Sequence, residues 1–124
     1  GVLRLSDSGE AAFTMADGLP GNRASACLID RDGQLWVAFN GGGITLYDGD
    51  RMTHVSKRDG LLHDGCAFIR RDRHGHLWVG TDNGVNRYDG SQWLPELPAE
   101  DWRPAFIDLL EEPDGTLWGV THRG

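Results

Sequence analysis

The chain has 124 residues, a formal net charge of -7 and a single lysine, Lys57. This acidic balance argues against a nucleic-acid or anionic-membrane surface, because phosphate binding needs clustered Lys and Arg. The 18 Gly, the 5 Trp and the short apolar runs favour an all-β repeat protein of one domain's size, without a segment that inserts into a membrane.

One short pattern recurs and organises the chain. It reads Asp32-Gly33-Gln34-Leu35-Trp36-Val37-Ala38-Phe39 at its first appearance and returns at residues 74–81 and 114–121. Each copy joins a turn residue and a Gly to an alternating run with Leu and Trp, which predicts a tight turn that feeds a buried strand. The Trp residues are 42 and 40 positions apart, close to the period of four-stranded propeller blades. The structural positions of the repeat are Gly33, Gly75, Gly115, Trp36, Trp78, Trp118, Tyr47 and Tyr88.

In chain order, the repeat predicts an all-β fold of four-stranded antiparallel β-propeller blades, with three repeat units cut mid-blade. Residues 1–5 match residues 84–88, so the chain is expected to begin at a third strand. The expected segments are 1–17, the third and fourth strands of a split blade; 18–59, a blade; 60–99, a blade; and 100–124, the first and second strands of a split blade. We expect Trp36, Trp78 and Trp118 to pack between neighbouring sheets rather than to stack on a ligand.

Residues 99–112 carry conflicting local signals. Phe106, Leu109 and Leu110 have helical spacing, which alone would favour a helix. Pro104 and the apolar runs at the same place in the other two units favour a strand instead. The repeat register therefore predicts a strand here.

Other motifs suggest chemistry, and the repeat predicts a structural role for each. His74 and His76 flank a Gly as metal ligands could, yet the other units place Asp at the position of His74, so a turn is expected. Residues 30–33 resemble the start of a calcium loop but lack its closing Glu, which again favours a turn. Cys27 and Cys66 are expected to be two buried free thiols. Without a nucleophile elbow, phosphate loop or paired-Cys motif, we expect a non-catalytic chain with no metal or cofactor.

Taken together, the units resemble the two-component-regulator propeller repeats found in sensor regions of bacterial hybrid histidine kinases. The matching residues of the first unit are Gly18-Leu19-Pro20, Ile29-Asp30, residues 32–37 and residues 43–49. Those of the second unit are Gly60-Leu61, Ile69, residues 77–81, Asn83-Gly84-Val85 and Tyr88-Asp89-Gly90. The third unit departs from the pattern at Asp101-Trp102-Arg103 and at Gly119-Val120. The resemblance implies a sensor input region in a signal-transduction protein, with a periplasmic or extracytoplasmic location.

The loops that enter first strands and those that join second to third strands share one face of a propeller, where ligands usually bind. An aromatic ring beside a guanidinium suits a sugar ring or an acidic group, so Trp102 with Arg103 is the first candidate site. The other candidate ligand-binding residues on this face are Arg23, Asn40, His63, Asp64, Asn83 and His122, with Asn22, Asp82 and Arg123 beside them.

Three units are too few to close a ring, because propellers have about 4 to 8 blades. We expect either head-to-tail strand exchange between two copies, which completes a split blade, or the remainder of a parent propeller. The start at Gly1, without Met, suggests an excised or engineered piece.

Three functions stay open. The first is a non-catalytic sensor piece that binds a small molecule or an oligosaccharide, or serves as a scaffold. The second is a purely structural, self-assembling propeller module. The third is a propeller lyase or glycan-cleaving enzyme, for which His63, Asp64 and His122 are the nearest acid and base groups.

Overall fold

The computed structural model describes residues 2–6, 9–13, 18–20, 23–96 and 105–121. These residues form short β-strands and one turn of 3-10 helix at Lys57–Asp59. The strands are β1 (Val2–Ser6), β2 (Gly9–Phe13), β3 (Ala24–Ile29), β4 (Leu35–Phe39), β5 (Gly43–Tyr47), β6 (Met52–Val55), β7 (Cys66–Arg71), β8 (Leu77–Thr81), β9 (Gly84–Tyr88), β10 (Trp93–Glu96), β11 (Phe106–Glu111) and β12 (Leu117–Thr121).

The strands form two four-stranded sheets and two hairpins. The first blade has the order β3-β4-β5-β6, and the second blade has the order β7-β8-β9-β10. The N-terminal hairpin pairs β1 with β2, and the C-terminal hairpin pairs β11 with β12. All these pairings are antiparallel. The predicted all-β fold with four-stranded antiparallel blades is confirmed, and β11 confirms the strand predicted within residues 99–112.

The turn between the first and second strands is built in the same way in every unit. Its glycine has a left-handed φ of 80° at Gly33, 86° at Gly75 and 94° at Gly115, a conformation that strains any residue with a side chain. Each of these glycine amides donates to the carbonyl three residues earlier, at Asp30, Asp72 and Glu112. The repeated Gly is therefore a backbone requirement of the turn.

The largest core lies between the first and second blades rather than inside either sheet. Trp36 is buried there, and its indole contacts Trp93 at 5.8 Å and Tyr88 at 5.6 Å between ring centroids. The other buried members of this core are Ala38, Ile44, Leu61, Cys66, Ile69, Leu77 and Val79. Core packing of Trp36 is thus confirmed, and the alternation along β4 explains it, since Trp36 and Ala38 point to the same side of the strand.

Two expectations about burial are wrong. Trp118 is exposed, because no described strand covers the outer face of the C-terminal hairpin. Cys27 is also exposed, because it lies on the face of β3 that points away from the second blade. Both cysteines are free, as predicted, and Cys66 is buried in the core between the blades. Burial, together with the charges of Asp64 and Asp82, raises the pKa of the Cys66 thiol to about 12.

Candidate functional site

Three loops from the two blades meet at one end of the strands and form the loop face. Asn40, after β4, makes an isolated antiparallel bridge with Gly65. The amide of Asp82, after β8, donates to the carbonyl of Gly65 at 3.0 Å, and the amide of Gly43 donates to the carbonyl of Asp64 at 2.8 Å. These backbone bonds hold the side chains of both blades in a defined arrangement.

His63 and Asp82 lie side by side on the loop face, and both side chains are about half exposed. The amide of Gly65 donates to His63 Nδ1 at 2.8 Å, while Asp82 Oδ2 lies 3.8 Å from the same nitrogen. Because Nδ1 accepts a hydrogen bond, the neutral ring carries its proton on Nε2. The contact is therefore not an ion pair in this tautomer. The half-exposed ring keeps Nε2 as a donor, and the Asp82 carboxylate near its Nδ1 edge is an acceptor.

Gly65 makes this arrangement possible by its lack of a side chain. A Cβ at this position would overlap the Asp82 carboxylate and would approach His63 Nδ1 to 3.1 Å. Any larger residue would push the two side chains apart. The glycine thus sets the close approach of His63 and Asp82.

The remaining candidate residues on the loop face make local contacts. The Asp64 carboxylate accepts a hydrogen bond from the amide of Lys57 at 2.9 Å, so it supports its own loop. The backbone amide of Asn40 donates to the carbonyl of Arg23 at 3.0 Å, and the backbone amide of Asn83 donates to Thr81 Oγ1 at 3.1 Å. The structure therefore brings Arg23, Asn40, His63, Asp64, Asp82 and Asn83 to one face. Trp102, Arg103 and His122, with Asn22 and Arg123, lie outside the described residues.

A cleft of about 470 Å³ lies at the opposite end of the strands, between the first and second blades. Its lining includes the turns at residues 30–34 and 74–77, the indole of Trp36 and the ring of Tyr88. The sequence pattern predicts no binding face at this end of the strands. Of its polar side chains, Asp30 and Asp89 accept hydrogen bonds from amides of their own turns, and Arg31 donates to the carbonyl of Arg73 in the other blade.

In each of the three units, a carboxylate at the turn between the first and second strands accepts a hydrogen bond from the indole six residues later. The Nε1–oxygen distances are 2.8 Å for Trp36 and Asp30, 2.9 Å for Trp78 and Asp72, and 2.7 Å for Trp118 and Glu112. We call this contact the carboxylate–indole bond. An acidic residue six positions before each repeated Trp is visible in the sequence, so this signal could have been found.

The carboxylate of Asp72 is the most buried of the three. Its Oδ1 accepts the amides of His74 at 2.8 Å and His76 at 2.9 Å, in addition to the bond from Trp78 to Oδ2. Burial alone would raise the pKa of Asp72, but these hydrogen bonds outweigh it and hold the pKa below 3.8. The pKa of Asp30 is lowered against burial in the same way, by Trp36 and the amides of residues 34 and 32.

The two metal motifs lie in these turns. Residues 31–33 form a turn, as predicted, with the Asp30 carboxylate bonded to the amides of Asp32 and Gln34. The rings of His74 and His76 are 6.3 Å apart between centroids, and His76 Nδ1 lies 3.5 Å from Asp72 Oδ2. Within the described ranges, no group of three or more His, Cys, Asp or Glu side chains is placed to hold a metal ion.

Comparison with known proteins identifies the repeat and the fold. Residues 18–41 match the family model of the two component regulator propeller. The structure resembles the extracellular domain of a hybrid two component system from B. thetaiotaomicron, with a TM-score of 0.77 and 17% identity over 94% of this chain. It also resembles selenomethionine-substituted virginiamycin B lyase from Staphylococcus aureus, with a TM-score of 0.62 and 16% identity over 80% of this chain. No curated protein gives a significant match.

These findings confirm the resemblance to two-component-regulator propeller repeats and the β-propeller fold. The chain spans 17% of the first structure and 34% of the second, so it corresponds to a small part of either one. None of the helical structure in the described residues is long and apolar enough to cross a membrane.

Proposed function

We propose that the chain is a non-catalytic part of the propeller in the input region of a two component sensor, and that its loop face binds a small neutral polyol or oligosaccharide. The match of residues 18–41 to the two component regulator propeller carries the sensor assignment. The likeness to the extracellular domain of a hybrid two component system supports it and favours an extracytoplasmic location. A signalling output would then belong to other parts of a parent protein.

The arrangement around Gly65 supports the binding role. His63 Nε2 is available as a donor, and the Asp82 carboxylate beside it is an acceptor, which together suit a pair of neighbouring hydroxyl groups. The loops that carry them are bonded to each other across two blades, so little conformational freedom is lost on binding. The acidic character of the chain favours a neutral ligand over an anion.

The test is calorimetric titration of the chain with a panel of neutral gluco-, manno- and galacto-oligosaccharides. Asp82→Asn is expected to weaken binding of the responding sugar about tenfold or more, since it removes a charge-assisted hydrogen bond. Asp50→Asn is the matched control, because Asp50 is exposed on the turn between β5 and β6, at the other end of the strands. Equal affinities for the two variants, or no binding by any sugar in the panel, would overturn the proposed site.

The enzymatic alternative has less support from the geometry. His63 Nδ1 accepts a backbone amide and the Asp64 carboxylate accepts the amide of Lys57, so both groups are engaged in holding their loop. A general acid and base pair needs both groups within reach of a substrate proton. The resemblance to a lyase concerns the fold alone, at 16% identity.

A further inference from the structure

Apolar side chains are exposed at both ends of the stack of sheets. On the outer face of the C-terminal hairpin, Leu110 is 68% exposed, Trp118 59% and Val120 51%. At the other end, Ile29 of the first blade is 54% exposed and Leu3 of the N-terminal hairpin 58%. Clustered exposed apolar residues of this kind mark interaction surfaces in soluble proteins.

The same positions are covered where two blades meet inside the chain. Leu28 pairs with Trp36 in the first blade just as Leu110 pairs with Trp118 in the C-terminal hairpin. Yet Trp36 is only 4% exposed, because the second blade covers it. The outer face of the C-terminal hairpin therefore has the composition of a blade-facing surface and has no blade against it among the described residues.

The open face of the first blade, at the other end of the stack, carries the complementary positions of a blade-to-blade interface. Cys27 pairs with Val37 as Ile69 pairs with Val79, so the two first-strand residues are equivalent. Ile69 is 3% exposed, because the first blade lies against it, whereas Cys27 is exposed. The two ends of the stack are thus the two halves of an interface that the chain already forms once within itself.

The strand register fixes how the two ends would join. β4 pairs with β5, and β8 with β9, in matching antiparallel registers, and in the second blade Gly80 lies opposite Val85. Val85 packs in the core with Phe68 and Phe106, and Val2 of β1 packs in the equivalent way against the first blade. β1 therefore already occupies a third-strand place, while β12 lacks a third strand beside it within the described ranges.

We propose that a second copy of this chain docks on the C-terminal hairpin, with its β1 pairing antiparallel to β12 so that Val120 lies opposite Val2. The first blade of the second copy then covers Leu110 and Trp118, and its own Cys27 becomes buried. Each pair of joined hairpins forms one four-stranded blade. Two copies joined reciprocally would make a six-bladed ring, within the usual range of about 4 to 8 blades. This inference does not depend on the proposed ligand.

The first measurement combines solution mass with thiol reactivity across a dilution series. We expect a species of twice the 13.7 kDa mass of one chain, in which Cys27 is protected from a maleimide reagent and becomes reactive on dilution. Cys66 is the internal control, because its burial and raised pKa keep it unreactive until the chain unfolds. A monomer at every concentration with a reactive Cys27 would overturn the proposal. The outer face of the C-terminal hairpin would then be expected to pack against other strands of a longer chain.

The second measurement tests the head-to-tail geometry with two variants. Leu110→Asp damages the C-terminal face and Leu3→Asp damages the N-terminal one, and each should be folded but monomeric, since both side chains are exposed within the chain. A mixed pair keeps one intact interface, so mixing should restore association. Thr53→Asp, on the exposed side of β6, should leave association unchanged. Dimers in either variant alone, or no recovery on mixing two variants with native circular dichroism, would contradict head-to-tail docking.

Discussion

The carboxylate–indole bond at Asp72 allows a worked prediction, with Asp72→Asn as the perturbation. The asparagine keeps one oxygen for the amides of His74 and His76 but places an NH₂ group against the indole N–H of Trp78. The variant loses one charge-assisted hydrogen bond and weakens two others, so we expect the free energy of unfolding to fall by about 2 to 3 kcal/mol. Glu112→Gln changes the same contact at an exposed Trp, where water replaces the acceptor, and should cost less than about 0.5 kcal/mol.

The effect has a defined pH dependence. The pKa of Asp72 in the folded chain lies below its ordinary value of 3.8, since hydrogen bonds from Trp78, His76 and His74 outweigh the effect of burial. A carboxyl with a lowered folded pKa contributes stability that is complete above the unfolded pKa and is lost as the pH falls through the folded value. The difference between the wild type and Asp72→Asn should therefore be full at neutral pH and shrink as the pH falls below 3.8.

Urea unfolding followed by far-ultraviolet circular dichroism measures both effects without relying on fluorescence from the altered Trp78. The protein is kept at one concentration at which the chain is monomeric, because association would cover Trp118 and shift the apparent stability. The reasoning is refuted if Asp72→Asn costs no more than Glu112→Gln at neutral pH. It is equally refuted if the gap between the wild type and Asp72→Asn stays constant down to the acid limit of folding.

Two further substitutions probe the second blade. Asn86→Ala removes a buried side chain that accepts a hydrogen bond from the amide of Leu62 and donates one to the carbonyl of Gly60. Urea unfolding should show a loss of about 2 to 4 kcal/mol, and a loss below about 0.5 kcal/mol would contradict this role. Gly80→Ala places a methyl group against the ring of Phe68, so thermal unfolding should show a loss of about 1 to 3 kcal/mol. A second change, Phe68→Leu, should partly restore this stability. Simple additivity of the two changes would refute the steric explanation.

The repeat made much of the fold predictable. The strand positions follow from the alternation of apolar residues, and the turns follow from Gly33 and its equivalents, because both are local properties of the chain. Around Phe106 the local spacing favours a helix, whereas comparison of the units predicts the strand that is present. Local pattern and repeat register agree at these positions, so the secondary structure could be predicted.

The errors concern properties that depend on what lies across an interface. Cys27 and Ile69 occupy equivalent places in their strands, and only the neighbouring blade decides which one is buried. Trp118 repeats the pattern of Trp36 and is exposed for the same reason. The contact of His63 with Asp82 could not be found from spacing, because it arises where the pairing of β7 with β8 brings Gly65 against Asp82.

Because the largest core lies between two sheets, the first and second blades both contribute apolar residues to it. A protein built in this way can grow or shrink during evolution by whole units, since a duplicated unit brings one sheet and one new contact surface of a kind already present. A mutation at such a surface changes the packing of two units at once, so the sequences of neighbouring units constrain each other. Gene duplication can therefore lengthen the array without inventing a new core.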